Sequence, residues 1–353
     1  MSTRNKILLG ALVLTVASIV FQYLLPTPLL IDPPHVSVAA EPVFYIGAEG
    51  AGLGHGHEGD FIINNSMIMA VIVVVFLIIF SWLTTRNLQL IPRGLQNFME
   101  MVVDGLYNTF GAVDRRYIAR FWPMVGTIFF YVLLSNWLAL LPGVLSIGYY
   151  EGHNGEARIV PNLLAWTSSE VASDVAAAPA AAEEGKPLLI PFLRSPSADL
   201  NNTFMLALVA VSFVQFWGIR ELGGTYFTKF LPLGEFKRGV AAGLLGLFVG
   251  LVELISEIAR IISFAFRLFG NIFAGEVILL VMAFLLPVLQ LPFMGLELFI
   301  GFIQAFVFAI LTMVFASLAT QAHGDHGHEG THGAYAEEVP GDLGGATRAN
   351  PAH

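Results

Sequence analysis

GVAAGLLGLFVGLVELISEIARIISFAFRLFGNIFAGEVILLVMAFLL, residues 239–286, is helical and apolar in pattern without a clear break. Forty-eight residues at 1.5 Å rise make a helix ~72 Å long. The hydrocarbon core of a bilayer is only ~30 Å thick, so such a helix must lie strongly tilted or bend. It also carries Glu253, Glu257, Arg260, Arg267 and Glu276, with the polar Ser263 and Asn271 among them. A charge at bilayer depth costs at least ~2.5–3.5 kcal/mol by insertion scales, so an arginine surrounded by Phe264, Phe266, Leu268 and Phe269 is a functional candidate by default.

The rest of the chain has the same character. Of its 353 residues 56% are hydrophobic and 12% charged, with a mean hydropathy of +0.72. Charge-free runs cover 7–31, 121–150, 200–219, 277–296 and 298–324. Runs of about 20 apolar residues suit membrane-crossing helices, and the fold class is an all-α polytopic membrane protein. No internal repeat is visible, and no alternation of the kind a membrane β-barrel shows. The chain has no cysteine, which excludes disulfides, thiol catalysis and thiolate metal sites. It also lacks a Walker phosphate loop and a nucleophile motif, and its HExxH spacing, at His328–His332, falls in the glycine-rich tail. The net charge of −9 comes largely from loops and tail.

Six spanning units are expected. Ile7–Leu30 reads as a retained anchor within an N-terminal unit 1–31, followed by an external loop 32–60. Phe61–Thr84, Phe121–Ile147 and Leu200–Ile219 cross the membrane, with a polar loop at about 148–197 between the last two. A hairpin of two long helices over about 239–321, the second at 296–321 after Pro287, Pro292 and Gly295, completes the set. Residues 94–113 have apolar residues at helical spacing and read as an amphipathic surface helix. Arg4, Lys6, Arg86, Arg93, Arg115, Arg116, Arg120, Arg220, Lys229, Lys237 and Arg238 flank one set of span ends, whereas 32–60 holds no Lys or Arg and 148–197 only Arg158, Lys186 and Arg194. The positive-inside rule then makes both termini cytoplasmic.

Helical phase sorts the hairpin's polar groups. Arg260 lies within about 20° of Arg267, and Glu253 and Ser263 within about 40°, so these four form one stripe. Glu276 points about 180° away from Arg267. On the second helix Glu297 and Gln304 share a face. A fold near Pro287 brings Gln304 within a turn of Arg267 and makes Glu297 nearly level with Glu276. The two carboxyls have no cationic partner within this stretch. Asp199, at a helix start, suits an N-cap.

SFAFRLFGNIFAGE, LQLPFMGLELFIGFIQAFVFAILTMVF, DLNNTFMLAL and NWLALL together resemble subunit a of the rotary F-type ATP synthase, over about 60–320. The resemblance implies a domain at 61–321 that passes ions through two half-channels to the carboxylates of a rotating c-subunit ring, as a non-catalytic stator subunit with no cofactor. It implies that Arg267 is the barrier between half-channels and the counter-charge for ring carboxylates, with Asn271, Glu276, Glu297 and Gln304 also serving ion translocation. Glu253, Arg260, Ser263 and Asp199 are candidates for the access path. Implied partners are the c-ring, b-type peripheral stalk subunits, the catalytic sector indirectly, and membrane lipid, with no nucleic acid; the implied location is a bacterial inner membrane. The rival is a self-contained secondary cation transporter, which usually shows repeated halves. The His- and acid-rich tail 322–353, with HGDHGHEGTH at 323–332, reads as a disordered cytoplasmic extension, because its glycine-rich spacing fixes no metal geometry.

Overall fold

A computed structural model describes residues 39–47, 50–53, 61–141, 144, 147–151, 157–161, 189–230, 234, 239–285 and 290–321. The expected first span, most of the 32–60 loop, the hairpin turn at 286–289 and the tail 322–353 lie outside the described residues. The described part contains six α-helices, which we label in chain order: α1 Asn65–Thr85, α2 Leu95–Gly111, α3 Ile118–Ala139, α4 Leu200–Leu222, α5 Val240–Leu285 and α6 Gln290–Thr320. All but α2 are long and apolar enough to cross a membrane, and the chain is a multi-pass membrane protein.

Several boundaries differ from the sequence reading for identifiable reasons. The second span begins at Asn65, because Phe61–Asn64 pairs as a strand. The third ends at Ala139, and Ile147, expected at its end, starts another strand. In the hairpin, α6 starts at Gln290 and absorbs both Pro292 and Gly295. A proline in the first turn removes an N–H that has no intrahelical partner anyway, so it punctuates nothing there.

The loops carry two small antiparallel sheets that apolar periodicity did not reveal. In the first, β1 Pro42–Gly47 lies between β2 Gly50–Leu53 and β3 Phe61–Asn64. In the second, β4 Ile147–Glu151 lies between β5 Ala157–Pro161 and β6 Leu189–Pro191. Gly148 is required where β4 meets β6, since a Cβ there would collide with the Ile190 carbonyl. Buried Asn65 joins the two sheets at the head of α1. Its side-chain oxygen accepts from the Glu41 N–H at 3.3 Å and the Ser66 N–H at 2.9 Å, and its amide donates to the Pro191 carbonyl at 3.3 Å. Val43 and Ile190 close the joint with Ile68 and Phe192. These elements form a cap over one end of the bundle.

The helical core lies between α3, α4, α5 and α6. Phe121, Val125, Phe129 and Val132 of α3, Ala207, Ala210 and Val214 of α4, and Phe264, Ala265 and Leu268 of α5 are buried against Ala305, Phe308, Ala309 and Met313 of α6. The alanines and Gly301 let backbones approach closely, the dominant packing device where lipid offers no hydrophobic gain. At Gly301 the Asn136 amide donates to the glycine carbonyl at 3.2 Å, and the Trp137 indole N–H donates to the Leu298 carbonyl at 3.0 Å. These contacts seat α3 on α6.

The surface helix α2 is present. It anchors through Phe110, fully buried against Trp122, Phe129 and Phe306, while Leu95, Phe98 and Met101 remain exposed. At the end of the bundle opposite the cap, Arg120 pairs with Glu221 at 2.7 Å and the Ser317 hydroxyl donates to Asp114 at 2.6 Å.

Candidate functional site

Glu257, Arg267 and Glu276 follow one another along α5 at intervals of ten and nine residues, so Arg267 lies about 15 Å along the axis from the first and about 13.5 Å from the second. An ionic cluster occurs on each side of it.

At the cap end, Arg194 comes in from the segment between β6 and the short 3-10 turn Pro196–Ala198. Its Nε and one terminal nitrogen donate to the same Glu276 oxygen at 3.2 and 3.0 Å, and the other terminal nitrogen donates to the Ala39 carbonyl at 3.0 Å. The guanidinium lies 5.9 Å from the centre of the Phe273 ring. Both charged side chains are nearly sealed, Arg194 with 6% and Glu276 with 11% of its side chain accessible. Glu276 therefore has the cationic partner that its own stretch of sequence lacks, supplied from 82 residues away.

Beside this pair, the buried Glu297 side chain of α6 presses on α5 at Gly275, where a Cβ would overlap its carboxylate. Gly275 is thus the position that lets a carboxyl of one helix reach the backbone of the other. A cavity of about 220 Å³ adjoins them, lined by Asn271, Ala274, Gly275, Leu296, Glu297 and Ile300. It brings together Asn271 and Glu297 of the predicted set. Gln304 is buried on the face of α6 shared by Glu297 and Gly301, and no hydrogen bond joins it to Arg267 among the described residues.

The second cluster gathers at the opposite end of α4. The chain leaves α4 through a 3-10 segment, Gly223–Lys229, which folds back because Gly218 has no side chain: a Cβ there would run into the Tyr226 ring. Tyr226 donates to Gln215, and Lys229 is aimed at α5, pairing with Glu253 at 2.7 Å and Glu257 at 3.0 Å. Arg260 donates to the other oxygen of Glu257 at 2.7 Å and lies 4.1 Å from the Phe315 ring centre on α6. A cavity of about 480 Å³ between α4 and α5 includes Ser212, Gln215 and Glu257 in its wall.

The single polar stripe expected from helical phase is thereby divided. Glu253 and Arg260 are engaged by Lys229, Glu257 and Phe315, whereas Ser263 and Arg267 are exposed. A long side chain reaches several ångströms around its helix, so azimuth alone did not separate the two arginines. Asp199 caps α4, accepting from the Asn201 N–H at 3.0 Å, and also accepts from the Ser66 hydroxyl at 2.5 Å.

Arg267 itself makes no ion pair or hydrogen bond among the described residues. It lies on an exposed face of α5 that also contains Ser256, Ala259, Ser263, Gly270 and Ala274. Small side chains of this kind permit close approach of another helix in a membrane.

Sequence reasoning missed Arg194 and Lys229. Each is a single basic residue near the end of a span, in PFLRSP and TYFTKF, and nothing local to those strings shows that it turns toward a carboxylate on another helix.

A multi-pass helical membrane protein whose arginine is left unpaired among the described residues, between two ionic clusters, has an arrangement suited to handling ions within the bilayer. Comparison with known proteins gives the family: residues 67–317 match the model for the ATP synthase A chain, and the chain belongs to that family. It is 31% identical over 269 residues to ATP synthase subunit a of Gloeobacter violaceus, an alignment spanning 74% of this chain and 86% of that one. The same-named proteins of Helicobacter pylori and Syntrophobacter fumaroxidans are 30% and 27% identical, over 76% and 75% of this chain and 93% and 88% of theirs.

Proposed function

We propose that this chain is the ion-translocating stator subunit of an ATP synthase membrane sector, passing protons through two half-channels to the carboxylates of a rotating c-ring. The ion flow is thereby coupled to ATP synthesis. It is a non-catalytic subunit of the complex, with b-type peripheral stalk subunits as further partners and the catalytic sector reached indirectly. In a bacterial inner membrane both termini are cytoplasmic, and the cap faces outward.

The observation that carries this reading is the state of Arg267. Arg194, Lys229 and Arg260 each hold a carboxylate of the same chain, whereas Arg267 holds none among the described residues and faces an uncovered strip of small residues. An arginine stays charged at any working pH, and an unpaired one in hydrocarbon is costly. A carboxylate on a neighbouring subunit meets both conditions. As a ring carboxylate approaches, a positive charge within ~4–6 Å favours its ionised form, so its proton leaves before it passes. Arg267 itself relays no proton, which separates the two half-channels. Glu276, Glu297 and Asn271 line the outer one, with Gln304 on the same face of α6 as Glu297. Glu253, Arg260, Ser263 and Asp199 belong to the approaches.

ATP-driven proton uptake by the reconstituted complex tests the assignment. Arg267→Ala abolishes coupled uptake, and Arg267→Lys, which keeps charge but loses the planar fork, is severely impaired. Uptake near the wild-type rate in the alanine variant would refute the reading.

A further inference from the structure

Glu276 and Glu297 come together at Gly275, yet their surroundings differ. Glu276 is clasped by Arg194, with two donors on one oxygen and almost no accessible surface. Glu297 borders the cavity that opens toward Asn271, and no basic side chain contacts it among the described residues. The charged groups that bear on the pair come from the neighbouring segments: Arg194 before α4, Glu41 just ahead of β1, and the two glutamates themselves. Asp199 of α4 is occupied by Ser66 and the Asn201 N–H.

We propose that Arg194 is a positioning residue of the outer half-channel: by clasping Glu276 it fixes that carboxylate in its ionised, non-carrying form and leaves Glu297 as the group that exchanges protons with the ring. The proposal rests on the function argued above and divides the labour within it. The chemistry is that of a buried ion pair. Two charge-assisted hydrogen bonds from a guanidinium favour the ionised form of a carboxylate, a bias that a carboxyl beside a cavity and without a cationic partner does not share. Arg194 also holds the Ala39 carbonyl, so the same side chain ties the cap to the hairpin.

The test is ATP-driven proton pumping by the reconstituted whole complex as a function of external pH, normalised to assembled complex. Arg194→Gln leaves Glu276 buried without its counter-charge. Transport drops about tenfold or more, as expected for breaking a buried pair, and the pH profile is displaced because Glu276 now titrates. Arg194→Lys retains a cation and most of the wild-type profile. The decisive variant is the neutral pair, Arg194→Gln with Glu276→Gln, which removes the ion pair as a whole and leaves Glu41 and Glu297 as the neighbouring acids. It recovers pumping relative to either single variant and returns the profile to that of the wild type, while Glu297→Gln in the same background abolishes it.

If the neutral pair pumps no better than Glu276→Gln alone, Glu276 carries protons and the proposal is overturned. An undisplaced profile in Arg194→Gln overturns it as well. Should Arg194→Gln fail to assemble, the neutral pair and Arg194→Lys decide the matter by the same criteria. Arg267→Ala, run in parallel, separates the two levels: pumping by that variant refutes the stator reading itself, whatever the Arg194 series shows.

Discussion

At the scale of single residues, the membrane part of this chain contains two kinds of charge, and their pairing tells them apart. Arg194, Lys229 and Arg260 are matched within the chain, while Arg267 is matched by nothing among the described residues. The sequence made Arg267 conspicuous because an arginine flanked by phenylalanines has no bland explanation. Arg194 gave no such signal, since a basic residue in a polar loop is ordinary until the loop is seen to descend onto α5. Glu297 is the residue on which the transport reading bears most directly after Arg267. Glu297→Gln is expected to lower ATP-driven proton uptake in proteoliposomes by at least about tenfold, the effect of removing a group that transfers protons. The double variant with Glu276→Gln should be impaired less than additively, as for two groups that act in one unit. Full uptake by that double variant across a range of external pH would show that neither glutamate serves the ion.

At the scale of elements, the contact between α5 and α6 depends on a glycine. The Glu297 carboxylate occupies the space that a side chain at residue 275 would need. Gly275→Ala therefore pushes the flexible end of Glu297 off its seat, at little cost in stability. A fall in uptake, of about tenfold, is expected. Shortening the acid as well, with Glu297→Asp, recovers part of the loss if the clash is the cause, and no recovery would place the defect elsewhere. Helix existence and type were legible in the sequence because apolar runs of about 20 residues have few other solutions. The strands were not. IGYYE and ARIVP are short, and their pairing with β6 is decided by partners tens of residues away, which is the tertiary context that dominates strand formation. The start of α6 was misplaced for a different reason, because prolines near a helix N-terminus were read as breaks.

At the scale of the whole molecule, the basic flanks and the capped end lie on opposite sides of the bundle, and topology can be measured directly because the native chain has no cysteine. Leu90→Cys, at a fully exposed position between Arg86 and Arg93, should react with an impermeant thiol reagent only in inverted vesicles. Phe61→Cys, exposed at the start of β3, should react in intact cells. The opposite pattern would invert the orientation. A last consequence concerns the order in which the ribosome delivers the parts. Arg194 and Lys229 are both synthesised before the acids they bind, so Glu253, Glu257 and Glu276 meet waiting cations as α5 enters the bilayer. Among the described residues Arg267 is the group that this schedule leaves without a companion, so on the function proposed above the newly inserted subunit stays incomplete until another chain arrives beside it.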